Sequence, residues 1–240
     1  MKIAVITDLH ANLPALQAAL AAIQAEGCDL IVHTGDAIAI GPQPCECLDA
    51  LLSAPGVQFV MGNHDAYFVD GLPEPRPDWM SDGEVEHQRW THAQLDPRWR
   101  ATLAGWPYAV EREFAGVRTT FVHYALAPSG RDFAPTVRHP GVADLDRVFG
   151  GYQSQLIFYG HDHLFSDLTG RARYVNPGSL GCHKQAVARY CVVAYHKRGF
   201  TLTHRSVPYD DTGLLRAFER RRVPERHFIY QAFFGGRYGG

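Results

Sequence analysis

The sequence predicts an α/β sandwich: two mixed β-sheets packed face to face and flanked by helices. Three observations lead there. The first third alternates apolar, β-branched runs with helical spacing in the order βαβαβ. From Val117 onward the pattern is mainly strand, and between the two lies a proline-interrupted stretch holding all four tryptophans. A βαβαβ opening requires right-handed crossovers and parallel pairing. The strand-rich remainder has too few helices to continue one doubly wound sheet, and two stacked sheets accommodate both halves. One domain over residues 1–240 is expected, with a helical excursion at about 66–107 and a C-terminal extension at about 207–240.

Taken in order, Lys2 to Thr7 is the first strand. Leu13, Leu16, Leu20 and Ile23 then recur at helical spacing, with Asn12 as N-cap and Gly27 as stop. Leu30 to Thr34 is a second strand, Pro44 opens a helix carrying Cys45, Leu48 and Leu52, Gly56 closes it, and Val57 to Met61 is a third strand. Trp79, Trp90, Trp99 and Trp106 anchor the excursion, which is read as a helical detour in preference to a cap over the sheet edge. Later strands are expected at Val117 to Val122, Leu156 to Tyr159, Arg173 to Val175, Tyr190 to His196 and Phe200 to Ser206. The glycines at 235, 236, 239 and 240 predict a frayed end.

With 46% hydrophobic and 20% charged residues the chain reads as an ordinary globular protein. A formal charge of −2 gives no global basic excess of the kind that holds a nucleic-acid polymer. Arg220 to Arg222 are read as a solvated helix face. Five cysteines, Cys28, Cys45, Cys47, Cys182 and Cys191, are odd in number and lack paired spacing, which suggests neither a zinc ribbon nor a disulfide framework. Without a leader-like or membrane-length apolar run, a cytoplasmic protein with no membrane partner is expected.

Histidine is abundant, with 13 copies, and its placement carries the chemistry. Asp8-Leu9-His10, Gly35-Asp36, Gly62-Asn63-His64-Asp65, His123 and Gly160-His161-Asp162-His163 each follow an apolar run. The carboxyl ends of parallel strands share one edge, so these pieces converge. Any one of them alone is a helix cap or a satisfied histidine. Together they bring carboxylates and imidazoles to one place, where the groups must be paired, neutralised or coordinated to a cation. Carboxylate, amide and imidazole without thiolate suit Mn²⁺, Fe²⁺, Zn²⁺ or Ni²⁺. The donors exceed what one four-ligand site needs, which points to two divalent ions with Asp36 as the bridge.

The ordered blocks D-x-H, G-D, G-N-H-[DE], a strand-end histidine and G-H-x-H resemble the calcineurin-like metallophosphoesterases over residues 1 to about 206. By that resemblance Asp8, His10, Asp36 and His163 hold one metal; Asp36, Asn63, His123 and His161 hold the other; and His64 is the catalytic histidine. The implied fold is a mixed-sheet sandwich flanked by helices. Asn12 to Leu16, the Trp90-Thr91 helix and Asn176-Pro177-Gly178-Ser179 look like the small bacterial branch with phosphodiesterase or phosphatase activity. Ala39 and Ile40 stand where the protein phosphatases carry aspartate and arginine, which disfavours that subclass. Ala11 replaces a common glycine, Tyr124 follows His123 where glycine is usual, and Cys182-His183-Lys184 replaces Q-P-R.

The expected activity is hydrolysis of small-molecule or nucleotide phosphodiesters by a metal-bridging hydroxide, with His64 protonating the leaving group. Phosphomonoester hydrolysis is the alternative. A scaffold role, as in the retromer subunit of the same fold, is a third reading, opposed by the presence of His64 and all seven ligand candidates. Asn63, His64 and Tyr124 are the expected substrate contacts, the tyrosine ring narrowing the pocket or stacking on a base. His33 and Asp65 are expected to orient ligands or satisfy backbone groups, while Asp162 is left open. His87, His92, His139, His183, His196, His204 and His227 lack a partner motif and are assigned structural or surface roles. Phe228, Ile229, Tyr230, Phe233 and Phe234 dock on their own domain or on a neighbour, and homo-oligomerisation is left open.

Overall fold

In the computed structural model, which describes residues 1–238, two five-stranded sheets stack between layers of helix. Strands β1 (Lys2–Ile6), β2 (Leu30–His33), β3 (Val57–Phe59), β9 (Val187–His196) and β10 (Gly199–Pro208) form one sheet in the order β10-β9-β1-β2-β3. The other contains β4 (Ala109–Phe114), β5 (Val117–Val122), β6 (Leu156–Phe158), β7 (Ser166–Thr169) and β8 (Arg173–Asn176) in the order β4-β5-β6-β8-β7. Each sheet has a parallel trio at its heart: β1, β2 and β3 in the first, β5, β6 and β8 in the second. The predicted mixed-sheet sandwich is therefore the observed one.

Side-chain alternation builds the layers. Ile3 and Val5 of β1 point between the sheets, where they share a buried cluster with Val32, Phe121, Leu156, Phe158, Val175 and Val193. Phe121 and Phe158 stack at 5.3 Å and 8°, and truncating either to alanine is expected to cost about 3–5 kcal/mol. Ala4 and Ile6 point the other way, onto helix α1 (Leu13–Glu26). Asn12 caps that helix by accepting from Ala15 N, and Gly27 ends it at φ 67°, as the sequence predicts. Helix α2 (Pro44–Ser53) lies on the same outer face, while α6 (Val142–Val148) covers the second sheet through Leu145.

Two strands escape the sequence reading, β4 and β7. Both are sheet edges whose sequences, AVEREF and SDLT, are polar and half-exposed, so their apolar periodicity is weak. β3 ends earlier than predicted because Met61 N leaves the ladder to donate to Pro107 O at 2.8 Å. The excursion folds as α3 (Asn63–Asp70), α4 (Asp82–Gln94) and α5 (Arg98–Ala104), with Trp106 stacked on Phe59 at 4.5 Å.

The C-terminal extension forms α7 (Thr212–Arg220) and α8 (Arg226–Phe234). Leu214, Phe218, Ile229, Tyr230 and Phe234 bury together with Ile40 and Cys182, so the aromatic tail docks on its own chain and Phe228 stays exposed. Arg221 departs from the expected solvated face: it is half-buried and pairs with Glu46 and Pro42 O, tying the extension to α2. Gly235 caps α8 at φ 62°; Gly239 and Gly240, part of the predicted frayed end, lie outside the described residues. Among the described residues no helix is long and apolar enough to cross a membrane.

Candidate metal centre

The carboxyl ends of both parallel trios open on the same edge. Asp8 and His10 follow β1, Asp36 follows β2, Asn63 and His64 begin α3 after β3, His123 follows β5, and His161 and His163 follow β6. Hydrogen bonds stitch the two rims together. His161 N lies 3.1 Å from both Asp8 carboxylate oxygens, and His123 Nδ1 donates to Thr34 O at 2.9 Å. Such closeness requires glycine: a Cβ at Gly160 would sit 2.5 Å from Asp8 Oδ2, and one at Gly62 would overlap the Asp36 backbone. Asp8, His10, Asp36, His161 and His163 all have φ between 48° and 76°, conformations that cost these residues energy and that packing must enforce.

The donor atoms form two groups that meet at Asp36. In the first, His10 Nε2 lies 2.8 Å from His163 Nε2, and Asp8 Oδ1 lies 3.7 and 3.5 Å from these two nitrogens. In the second, Asn63 Oδ1 lies 3.1 Å from His123 Nε2 and 2.9 Å from His161 Nδ1. Asp36 Oδ2 stands between them, 3.8 Å from His10 Nε2 and 3.3 Å from His123 Nε2. His64 is beside both groups: its Nε2 is 4.0 Å from Asp36 Oδ2 and its Nδ1 accepts from Gln88 Nε2 at 2.5 Å. All eight residues assigned to metals or catalysis are thus brought together.

Electrostatics show what the cluster lacks. Ile38 O takes the Nδ1 proton of His10 and Thr34 O that of His123, which turns each Nε2 towards Asp36. A ring nitrogen 3.3 Å from a carboxylate oxygen calls for positive charge between them, a proton or a metal ion. Burial alone would lower His123, but Asp36 and Asp8 overcome it and raise the imidazole to about 9. Burial would likewise raise Asp8 and Asp36, yet the surrounding imidazoles outweigh it and hold both carboxyls well below their usual range. Burial pushes His161 down to about 4 and His163 to about 3, leaving both neutral and able to ligate. Carboxylates held ionised beside the neutral imidazoles of His161 and His163 fit divalent cations. Three sets of donor atoms lie within 4.8 Å of one another: His10, Asp36 and His64; Asp36, His123 and His161; and His10, His163 and Cys182.

One expected contact is corrected. Tyr124 is fully buried, its hydroxyl accepting from Val137 N at 3.0 Å and its ring packed against Phe149 and Tyr159. It backs His161 and is closed to a substrate base, because successive side chains at a strand end point to opposite sides. Asp65 satisfies backbone, accepting from Asp36 N, Ala37 N and Gly62 N at 2.8, 3.0 and 3.1 Å. His33 satisfies backbone, accepting from Gly35 N at 3.3 Å. Asp162 binds Asn176 Nδ2 and Leu164 N, holding the turn around His161 and His163. Buried His87 bridges Ile40 N and Pro224 O, a structural role.

Three neighbours of the cluster escaped the sequence reading. Gln88 on α4 is fully buried against His64, so the excursion supplies a wall of the site. Thr136 Oγ1 lies 2.7 Å from His161 Nε2 and fixes that ring with Nδ1 facing Asn63. Cys182 belongs to the donor set with His10 and His163. Gln88 and Thr136 carry no spacing signal. Cys182 does carry one, since it stands three residues after Ser179 of the Asn-Pro-Gly-Ser turn.

The fold and this donor set define a metal-dependent phosphoesterase. A model of the calcineurin-like phosphoesterase superfamily domain matches residues 1–198, and the chain belongs to that superfamily. Uncharacterized protein MJ0912 from Methanocaldococcus jannaschii is 27% identical over 98% of this chain and 98% of its own length. Hypothetical protein PH1004 from Pyrococcus horikoshii OT3 superposes with a TM-score of 0.79 at 18% identity, covering 98% of each chain. A metallophosphoesterase from Sphaerobacter thermophilus superposes with a TM-score of 0.71 at 23% identity, covering 94% of this chain and 96% of its own. At these identities the two structures establish the shared fold.

Proposed function

We propose that this protein hydrolyses phosphodiesters of small molecules or nucleotides, with two divalent ions held at the strand ends and His64 as general acid. The first ion would be held by Asp8, His10, Asp36 and His163, the second by Asp36, Asn63, His123 and His161. The observation that carries the reading is the position of Asp36 Oδ2, which faces a nitrogen from each donor group at 3.8 and 3.3 Å. When bound, divalent ions supply Lewis acidity to phosphate oxygens and a water of lowered pKa.

The chain's own residues do the rest. Gln88 Nε2 donates to His64 Nδ1, so the ring proton resides on Nε2, on the side of Asp36. Burial lowers the pKa of His64, against the opposing pull of Asp36. As general acid the ring must first take a second proton at Nδ1, where a turned Gln88 amide would present its oxygen. That imidazolium then gives its Nε2 proton readily to a departing alkoxide and returns to the neutral ring. Gln88 is a positioning residue: it fixes the ring plane and turns Nε2 towards Asp36. A preference for diesters is supported by the loop after Asp36. Ala37 to Ile40 are apolar and buried, and offer no guanidinium to the second charge of a monoester.

Replacement of His64 by Asn tests the assignment. Hydrolysis of an alkyl or nucleotide diester should fall by about 10²–10⁴, and that of a p-nitrophenyl ester much less, because its leaving group needs little protonation. Equal losses on both substrates remove His64 from the acid role. If the Mn²⁺-saturated wild type hydrolyses no phosphoester, the enzymatic reading falls and the scaffold reading takes its place.

A further inference from the structure

The five cysteines are not equivalent. Among the described residues only Cys182 groups with other potential ligands: its Sγ lies within 4.8 Å of a ring nitrogen of His10 and one of His163. We propose that Cys182 is a thiolate ligand of the first metal position and biases that position towards zinc or ferrous ion over manganese. The proposal rests on the two-ion reading above, and it adds a donor that the strand-end motifs do not contain.

The geometry fits a shared ion. Metal–sulfur and metal–nitrogen bonds of about 2.3 and 2.0 Å allow donor separations up to about 4.3 Å, so at most a contraction of roughly half an ångström is needed. His10 has spent Nδ1 on Ile38 O at 3.2 Å, and its Nε2, 2.8 Å from His163 Nε2, is the atom left to ligate. The thiol joins two donors that already converge.

The chain around Cys182 is fixed to the loop that carries Asp8 and His10. Leu180 N donates to Thr7 O at 2.9 Å, Gly181 N to Asp8 O at 3.1 Å, and Ser179 Oγ to Asp8 O at 2.7 Å. Ser179 Oγ in turn accepts from Cys182 N at 2.8 Å, and Asn12 Nδ2 donates to Gly181 O at 2.7 Å. A Cβ at Gly181 would collide with Leu9 O, so the two stretches lie as close as backbone permits. A buried cysteine commonly acts as a small hydrophobe, and Cys182, 3% exposed, does border the apolar C-terminal cluster. Apolar filling explains neither the two ring nitrogens nor the four hydrogen bonds locking the turn against the loop that carries Asp8 and His10. On metal uptake the S–H bond breaks, the metal–sulfur bond forms and the proton leaves to solvent. Thiolate favours zinc or iron over manganese.

Cobalt(II) titration of the full chain, read by absorption, tests the assignment independently of activity. The wild type should show visible ligand-field bands together with a near-ultraviolet thiolate-to-cobalt charge-transfer band. Cys182→Ser should keep the former and lose the latter, while Cys47→Ser keeps both. Ligand-field bands without the charge-transfer band in the wild type, or a charge-transfer band surviving in Cys182→Ser, overturn the proposal and leave the metal centre standing. If the wild type binds no cobalt, the proposal and the metal centre fall together. Should Cys182→Ser fail to fold, X-ray absorption of the zinc-loaded wild type decides: a sulfur shell at about 2.3 Å supports the ligand, and nitrogen and oxygen shells alone overturn it.

Discussion

On one side of Asp36 the donors are packed in. His10 and Cys182 are buried, half-exposed His163 has the ring of Phe233 on α8 5.5 Å from its own, and Asp8, His10 and His163 all have left-handed backbones. On the other side His123 is buried, but Asn63 and His161 are half-exposed, and His161 is steadied by Thr136, an exposed residue of the segment between β5 and α6. The first group is held by three left-handed backbones and a covering helix; the second has one such backbone, at His161, and leans on side-chain hydrogen bonds at the rim. Donors whose positions are fixed before binding lose less entropy on binding, so the first position should hold its ion more tightly than the second.

The largest effect expected is from Asp36→Asn, which weakens the carboxylate common to both groups. Metal content measured by mass spectrometry should drop for both ions, and hydrolysis should fall by at least the ~10⁴ at the upper end of a general-acid loss. Retention of one tightly bound ion would show that the two groups do not share it. Thr136→Val separates the groups. By analogy with other residues that orient ligands, it should weaken one ion by about 10–100-fold and spare the other, seen as a widened gap between two binding phases. Uniform weakening of both phases would erase the proposed difference.

The last effect concerns stability in place of metal binding. Burial lowers His33 to about 4, below the 6.5 of an unfolded histidine, so between these pH values the unfolded chain binds more protons. Folding stability therefore falls as pH drops from 6.5 to about 4, and His33 contributes nothing to the slope above that window. Over that window the metal-free wild type should lose about 3 kcal/mol more than His33→Gln in urea titrations. Parallel pH profiles for the two proteins would rule this out.

Much of the donor cluster was legible because its candidate ligands obey a positional rule. Asp8, Asp36, His123 and His161 each come just after an apolar run, and parallel strands bring such positions to one edge. What was missed follows no such rule. Gln88 reaches His64 through tertiary packing of α4, and β4 and β7 hide as polar edge strands. Tyr124 was misread as a substrate contact because sequence adjacency to His123 says nothing about direction. Neighbouring positions at the end of an extended strand face opposite sides, and its ring went inward.

The Asp8 carboxylate, on the first sheet, also receives the backbone N–H of His161, on the second. A group with that double duty ties chemistry to architecture. A ligand that fixed the orientation of this carboxylate would also brace the contact between the layers, so occupancy of the rim and stability of the sandwich should rise together.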